Sequence, residues 1–173
     1  MDEALLKEIR EQLDKAKIVE TLFRFGRGVD RADRELIKSV FHPDGTDTHS
    51  FFSGRGWDFA DWLCDNAGRF GHSAHLVTNY LIDLDGDFAN VESYCLGVDQ
   101  GAMIDGEETF LFMCGRYMDR FEKRGGEWKI LTRQVIYDIN QTAPMTERWD
   151  GPWFGNWQPR GRHFPHDPTY GER

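Results

Sequence analysis

Between residues 3 and 29 the apolar residues Leu6, Ile9, Leu13, Ile18, Leu22, Phe25 and Val29 fall mostly three to five apart, the spacing of an amphipathic helix or helix pair. Asp33 reads as the N-cap of a short second helix whose Leu36, Ile37, Val40 and Phe41 face inward, with Pro43 and Gly45 ending it. Period two follows over residues 46–52, placing Asp47, His49 and Phe51 on one strand face and Thr46, Thr48 and Ser50 on the other. A glycine-rich turn, SGRG, leads to residues 57–69, where Phe59, Trp62, Leu63 and Asn66 share one side of a helix. Residues 71–83, GHSAHLVTNYLID, form a strand from which His75, Val77, Asn79 and Leu81 point one way and Leu76, Thr78, Tyr80 and Ile82 the other. DLDGDF marks a hairpin, and residues 89–100, 110–123 and 128–138 alternate as an antiparallel meander turned at Gly125-Gly126. After Ile139, Pro144, Pro152, Pro159, Pro165 and Pro168 are mixed with Trp149, Trp153, Trp157 and Tyr170 without any period. That tail is expected to be irregular and to pack across the sheet or onto a neighbouring subunit.

The length of 173 residues fits one domain with a real core. Composition then narrows the function classes. A formal charge of -9 disfavours nucleic acid and anionic membranes as partners. The aromatic fraction of 14% exceeds what an ordinary core needs, so some rings are expected to line a cavity or interface. Cys64, Cys95 and Cys114 lack CxxC spacing and read as buried thiols in a reducing compartment. With a charged amino terminus and no long apolar run, the expectation is a soluble cytoplasmic protein.

Candidate chemistry centres on His75, on a strand face whose mixture of His, Val, Asn and Leu suits the wall of a partly polar pocket. Taken alone, the same histidine fits a hydrogen-bonded place in the core. Asp30 closes the first helix with Gly26 and Arg27 one turn before it, so its carboxylate can approach another element closely and has a cation nearby. His42, Asp44, Asp47 and His49 could compose a metal site, but strand alternation separates them, and His42 and Asp44 are expected to cap the helix end beside Pro43. DLDGDF departs from a calcium loop in its glycine position and lacks the closing acid. His163 and His166 read as surface residues.

Three stretches, RGVDRADRELIKSVFHPDGTDTH at 27–49, HSAHLVTNYLID at 72–83 and GRYMDRFEKRGGEWKILTRQV at 115–135, resemble the SnoaL-like branch of the nuclear-transport-factor-2-like superfamily, as does the ending RGRHFPHDPTY at 160–170. The resemblance implies an α+β cone, with N-terminal helices packed in a strongly curved, mostly antiparallel sheet around a deep pocket. It implies a cone domain over residues 1–140 and an appended tail over 141–173. Enzymes of this branch include scytalone dehydratase, bile acid 7α-dehydratase, a dehydrochlorinase, polyketide cyclases and γ-formaldehyde lyases of lignin-derived dimers. Most use a His–Asp pair without cofactor or metal, and the matching positions here are His75 and Asp30.

By the same likeness Arg133 matches an anion-stabilising arginine, on a strand face with Val135 and Tyr137; a surface salt bridge is its other reading. Phe25 stands where the bile acid dehydratase has a tyrosine, so a proton donor must come from elsewhere. Asp47 and His49 are the candidates, unless they are a hydrogen-bonded strand end. The expected catalytic set is therefore His75, Asp30, His49 and Arg133, with Asp47, Asn79, Phe25, Tyr137, Phe51 and Trp62 around the ligand. These groups suit elimination from a hydrophobic hydroxylated aromatic or polycyclic molecule, by dehydration or by loss of formaldehyde, with no cofactor. A ligand carrier and the small subunit of a ring-hydroxylating oxygenase are the alternatives of other classes. A homodimer or homotrimer is expected, because cones of this branch pair through the sheet.

Overall fold

The computed structural model describes residues 2–49, 51–146 and 151–171. The N-terminal repeat forms one helix rather than two, α1 (Glu3–Arg31), started by the Asp2 side chain accepting from the Ala4 amide. Its first half stands clear of the body, with Leu5, Ile9 and Leu13 exposed, while Ile18, Leu22 and Phe25 are buried. Asp33 caps α2 (Arg34–Ser39) as expected, accepting from the Leu36 amide at 3.0 Å. Ile37, Val40 and Phe41 are buried as expected, but the helix stops at Ser39. Phe41 opens strand β1 (Phe41–His49), so Pro43 and Gly45 lie inside a strand rather than ending a helix, and His42 and Asp44 are not helix caps. The register of β1 against its parallel neighbour shifts between Phe41 and Thr46, which accommodates Pro43 and Gly45.

The turn read at SGRG is instead strand β2 (Phe52–Arg55), paired antiparallel with β1. Helix α3 (Gly56–Asp65) and a short 3-10 turn precede β3 (His72–Asp85). Then β4 (Phe88–Ile104), β5 (Glu107–Arg124) and β6 (Glu127–Pro144) run on as long meander strands. The last of these carries the chain past Ile139 in regular structure, five residues farther than its composition indicated. Asp105-Gly106 and Gly125-Gly126 both have positive φ at each position, the backbone that two-residue hairpins with right-handed strand twist require.

The sheet order is β2-β1-β6-β5-β4-β3, with β1–β6 the parallel pair. Bulges interrupt β3–β4, β4–β5 and β5–β6. Each adds local bend and twist, and the sheet curves around the helices without closing. The expected α+β cone is therefore the architecture found. Phe25, Phe41 and Phe59 meet in its core, Phe25 lying 5.9 Å and 6.1 Å from the other two ring centroids.

One bulge changes the reading of β3. Asn79 takes φ 46, a left-handed conformation that asparagine tolerates, and the pairing shifts between Thr78 and Leu81. Upstream, His75 and Val77 face inward; downstream, Ile82 and Leu84 do, while Leu81 is 69% exposed. Simple alternation through Asn79 does not hold.

Among the described residues no helix is long and apolar enough to cross a membrane. Among the described residues beyond β6 the tail is irregular apart from a 3-10 turn at Pro168–Tyr170, and Trp149 lies outside the described residues. Of the cysteines, Cys95 alone is fully buried.

Candidate active site

The last turn of α1 and the first half of β3 are brought together at Gly26. A Cβ there would lie 3.4 Å from the His75 carbonyl oxygen and 3.6 Å from its Cβ, ordinary contact distances that show how closely the helix lies on the strand. One turn on, Asp30 Oδ1 accepts from His75 Nδ1 at 2.6 Å and from the Ser73 hydroxyl at 3.3 Å. Its Oδ2 accepts from the His75 backbone amide at 3.1 Å. One carboxylate thus fixes both the ring and the strand beneath it. With Nδ1 donating to Asp30, Nε2 is the nitrogen that carries the lone pair. Across the ladder from His75 stands Gly97, where a Cβ would sit 3.7 Å from Nε2 and 3.1 Å from Met113 Cε. The missing side chain keeps the space before Nε2 open.

A second pair lies across the sheet on β1. The fully buried Asp47 is hydrogen-bonded to His49 Nδ1, and the His49 ring stacks on Phe59 with centroids 4.7 Å apart and planes 5° from parallel. Asp47 pairs in register with Arg133 of β6, and Arg133 with Asp119 of β5. The Arg133 guanidinium donates to both Asp119 oxygens at 2.8 and 2.7 Å and is held between the rings of Phe25 and Tyr117, 4.1 and 4.0 Å from their centroids. Burial disfavours its charge, but the Asp119 carboxylate more than offsets this and moves its pKa up. Arg133 is therefore a buried ion pair rather than a surface salt bridge, and Phe25 and Tyr117 stand between it and the cavity. Among the described residues, Asp47 Oδ2 and Arg133 Nη1 have no hydrogen-bond partner.

Above this floor opens a cavity whose walls include Phe25, Phe51, Phe59, Trp62, Phe70, Tyr117 and Tyr137, with both His49 and His75 in the lining. Of the residues expected around a ligand, Phe25, Phe51, Trp62 and Tyr137 line it, and Asp47 lies behind His49. Asn79 does not, because its bulge turns it to solvent. Of the suspected metal cluster, His42 bonds the Glu122 carbonyl at 2.9 Å and Asp44 pairs with Arg124 at 2.7 Å, so these side chains diverge from Asp47 and His49. Among the described residues no group of three His, Cys, Asp or Glu side chains is placed to hold a metal ion.

Sequence reading missed Ser73, Gly97, Asp99, Tyr117 and His163, all of which line the cavity. His163 is the sharpest correction, since it was expected on the surface. Its tail is fastened across the end of α1: the Phe164 amide donates to the Arg31 carbonyl at 2.6 Å, and Tyr170 donates to Asp33 at 2.8 Å. Burial and then the nearby His72 push the His163 imidazole below its ordinary pKa of 6.5. Alternation along β3–β5 carried the signal for Ser73, Gly97, Asp99 and Tyr117; the tail has no period and carried none for His163.

The SnoaL-like domain family model matches residues 10–134, a span that contains Asp30, Asp47, His49, His75, Asp119 and Arg133. An uncharacterized protein of Mycobacterium tuberculosis, Rv2910c, is 25% identical over 137 residues, covering 77% of this chain and 90% of its own. The solved hexachlorocyclohexane dehydrochlorinase LinA-type3 of Novosphingobium barchaimii superposes with a TM-score of 0.69 at 19% identity, over 80% of this chain and 94% of that one. A candidate scytalone dehydratase of Novosphingobium aromaticivorans gives a TM-score of 0.65 at 21% identity, over 80% and 91%. The two solved structures show likeness of fold, and the match to the family model covers most of the cone; the chain belongs to the SnoaL-like domain family.

Proposed function

We propose that this protein is a cofactor-independent lyase that converts a hydrophobic, hydroxylated aromatic or polycyclic small molecule to a conjugated alkene by acid–base elimination. The observation that carries this reading is the arrangement at His75: Nδ1 is fixed by Asp30, and the Gly97 vacancy leaves Nε2 open to an aromatic-walled cavity with a second His–Asp pair in its opposite wall. The dehydrochlorinase and dehydratase named above are eliminating enzymes by name, and they support the reaction class.

His75 Nε2 takes a proton from the substrate, and the Asp30 carboxylate offsets the charge the ring gains. His49 gives a proton to the departing hydroxyl, which leaves as water. In dehydration the proton removed is on the carbon next to the one losing the hydroxyl, and its C–H electrons become the new double bond. In deformylation it is the O–H proton of a primary alcohol. That oxygen forms the carbonyl of formaldehyde, the C–C bond breaks, and its electrons form the alkene as a benzylic hydroxyl departs. Both need the same two groups.

The test is an assay of purified, chelator-treated protein against hydroxylated diarylpropanes, steroids and polyketide-like phenols, following alkene absorbance and formaldehyde together. Alkene with formaldehyde, lost in His75→Ala, is expected for a diarylpropane-type substrate; alkene alone identifies a dehydratase. Tight binding of ligands that are recovered unchanged would make the protein a carrier and overturn the proposal.

A further inference from the structure

Three charged side chains stand in consecutive register on adjacent strands: Asp119 on β5 opposite Arg133 on β6, and Arg133 beside Asp47 on β1. All three are buried. One guanidinium therefore lies between two carboxylate-bearing strands, slotted between the rings of Phe25 and Tyr117. It serves only one of the carboxylates. Its Nε and Nη2 fork onto Asp119, while Asp47 bonds His49 on its own strand. Among the described residues this leaves Arg133 Nη1 and Asp47 Oδ2 without partners, one group from each side of a contact that is not made. Burial disfavours the Arg133 charge, Asp119 is the strongest influence in its favour and Asp47 a weaker one. Burial likewise raises the Asp119 carboxyl above its ordinary range, Arg133 opposes the rise, and Asp47 adds to it. The two carboxylates thus act on the same cation.

We propose that Asp119 is a positioning residue for His49: by occupying Arg133 it reserves the Asp47 carboxylate for the imidazole. Its part in catalysis rests on the lyase reading above, in which His49 gives up a proton. Nδ1 of that ring is committed to Asp47, so a proton given from Nε2 comes from the doubly protonated ring, whose charge needs a carboxylate beside it. Arg133 is the competitor for that carboxylate. A guanidinium is always charged, offers two parallel N–H donors, and is costly to bury without a counter-charge. With Asp119 made neutral, Arg133 turns to Asp47 and draws it from His49. Asp119 is not in the cavity lining, so it acts on the ligand only through Arg133, Asp47 and His49.

The test reads the imidazole Nδ1 protons of the full chain by proton NMR, without substrate. A ring proton held by a buried carboxylate exchanges slowly and resonates far downfield. His49 and His75 should each give such a signal, assigned by its loss in His49→Gln or His75→Ala. In Asp119→Asn the His49 signal is expected to disappear while that of His75 remains, which reports an intact cone. Arg133→Met joined with Asp119→Leu removes the competitor as well, and the His49 signal should return. If Asp119→Asn does not fold, Asp119→Ser puts the same question. A His49 signal that persists in a folded single variant overturns the inference, because no competition for Asp47 then exists. A signal that stays lost in the double variant overturns it too, because the ion pair then supports Asp47 directly. Should the signals follow the expected pattern in a chain that eliminates nothing, the lyase reading fails while the hold of Asp119 on Asp47 stands.

Discussion

Asp30 reaches His75 from forty-five positions away in sequence, whereas Asp47 and His49 are next-but-one neighbours on a single strand. The first pair exists only when α1 docks on β3, and its carboxylate accepts three hydrogen bonds from β3. The second is made locally by strand alternation, and its character comes from beneath, where the Asp119–Arg133 ion pair is sealed under two rings. Tertiary structure sets orientation in one pair and electrostatic surroundings in the other. On the reading proposed above, that difference suits His75, where aim matters, to the role of base and His49 to that of donor.

The sharpest way to break this comparison is to remove each imidazole. His75→Ala is expected to lower turnover by ~10²–10⁴ with the circular dichroism unchanged. His49→Gln is expected to lose less; a larger loss than in His75→Ala would reverse the proposed roles. Asp30→Asn should reduce turnover and also lower Tm, because the carboxylate ties down the His75 amide as well as its ring.

The floor gives the next effect. Arg133→Met leaves Asp119 buried without its partner and is expected to cost about 3–5 kcal/mol in urea unfolding, whereas joining it with Asp119→Leu should restore most of the loss. If the double variant is no more stable than the single, the floor is not held as an isolated pair.

Gly97 sharpens the comparison at the cavity. Gly97→Val should lower kcat/KM roughly tenfold by crowding Nε2, while Gly97→Ala, meeting chiefly the mobile end of Met113, should have a slight effect. Tm should stay near wild type in both.

The smallest expected effect is a pH response of the tail. His163 is held below 6.5 in the folded strap and binds more protons once released, so acidification through that value favours release. The groups facing it are His72 on β3, Asp99 on β4, Arg31 on α1 and the Gly71 carbonyl. Asp167 lies far below its usual carboxylate value, burial being overcome by hydrogen bonds from Thr169 and Arg162, so its contribution survives until much stronger acid. Hydrogen-exchange protection factors of residues 160–171 should fall between pH 7.5 and 5.5, and His163→Gln should remove that dependence.

Residue spacing revealed the pieces that obey a period. The Gly26–Asp30 turn, the Asp33 cap, the His75 strand and the Gly125-Gly126 hairpin could be read because each is a local rule applied without interruption. What failed was interrupted or long-range. Pro43 and Gly45 look like a stop, yet they fit in β1 because the register shifts around them. Asn79 broke the alternation of β3 with one left-handed residue, and nothing in its neighbours announced it. Alternation placed Arg133 on the inward face but could not say how deep; its depth is set by Phe25 and Tyr117 from two other elements. His163 belongs to a segment whose path depends on anchors at Arg31 and Asp33, more than a hundred positions earlier.

Those anchors put the cavity's outer cover and its base on one foundation. The tail hangs from Arg31 and Asp33, one and three residues after Asp30. The residues that fasten the tail and the carboxylate that holds the His75 ring therefore share one point of attachment.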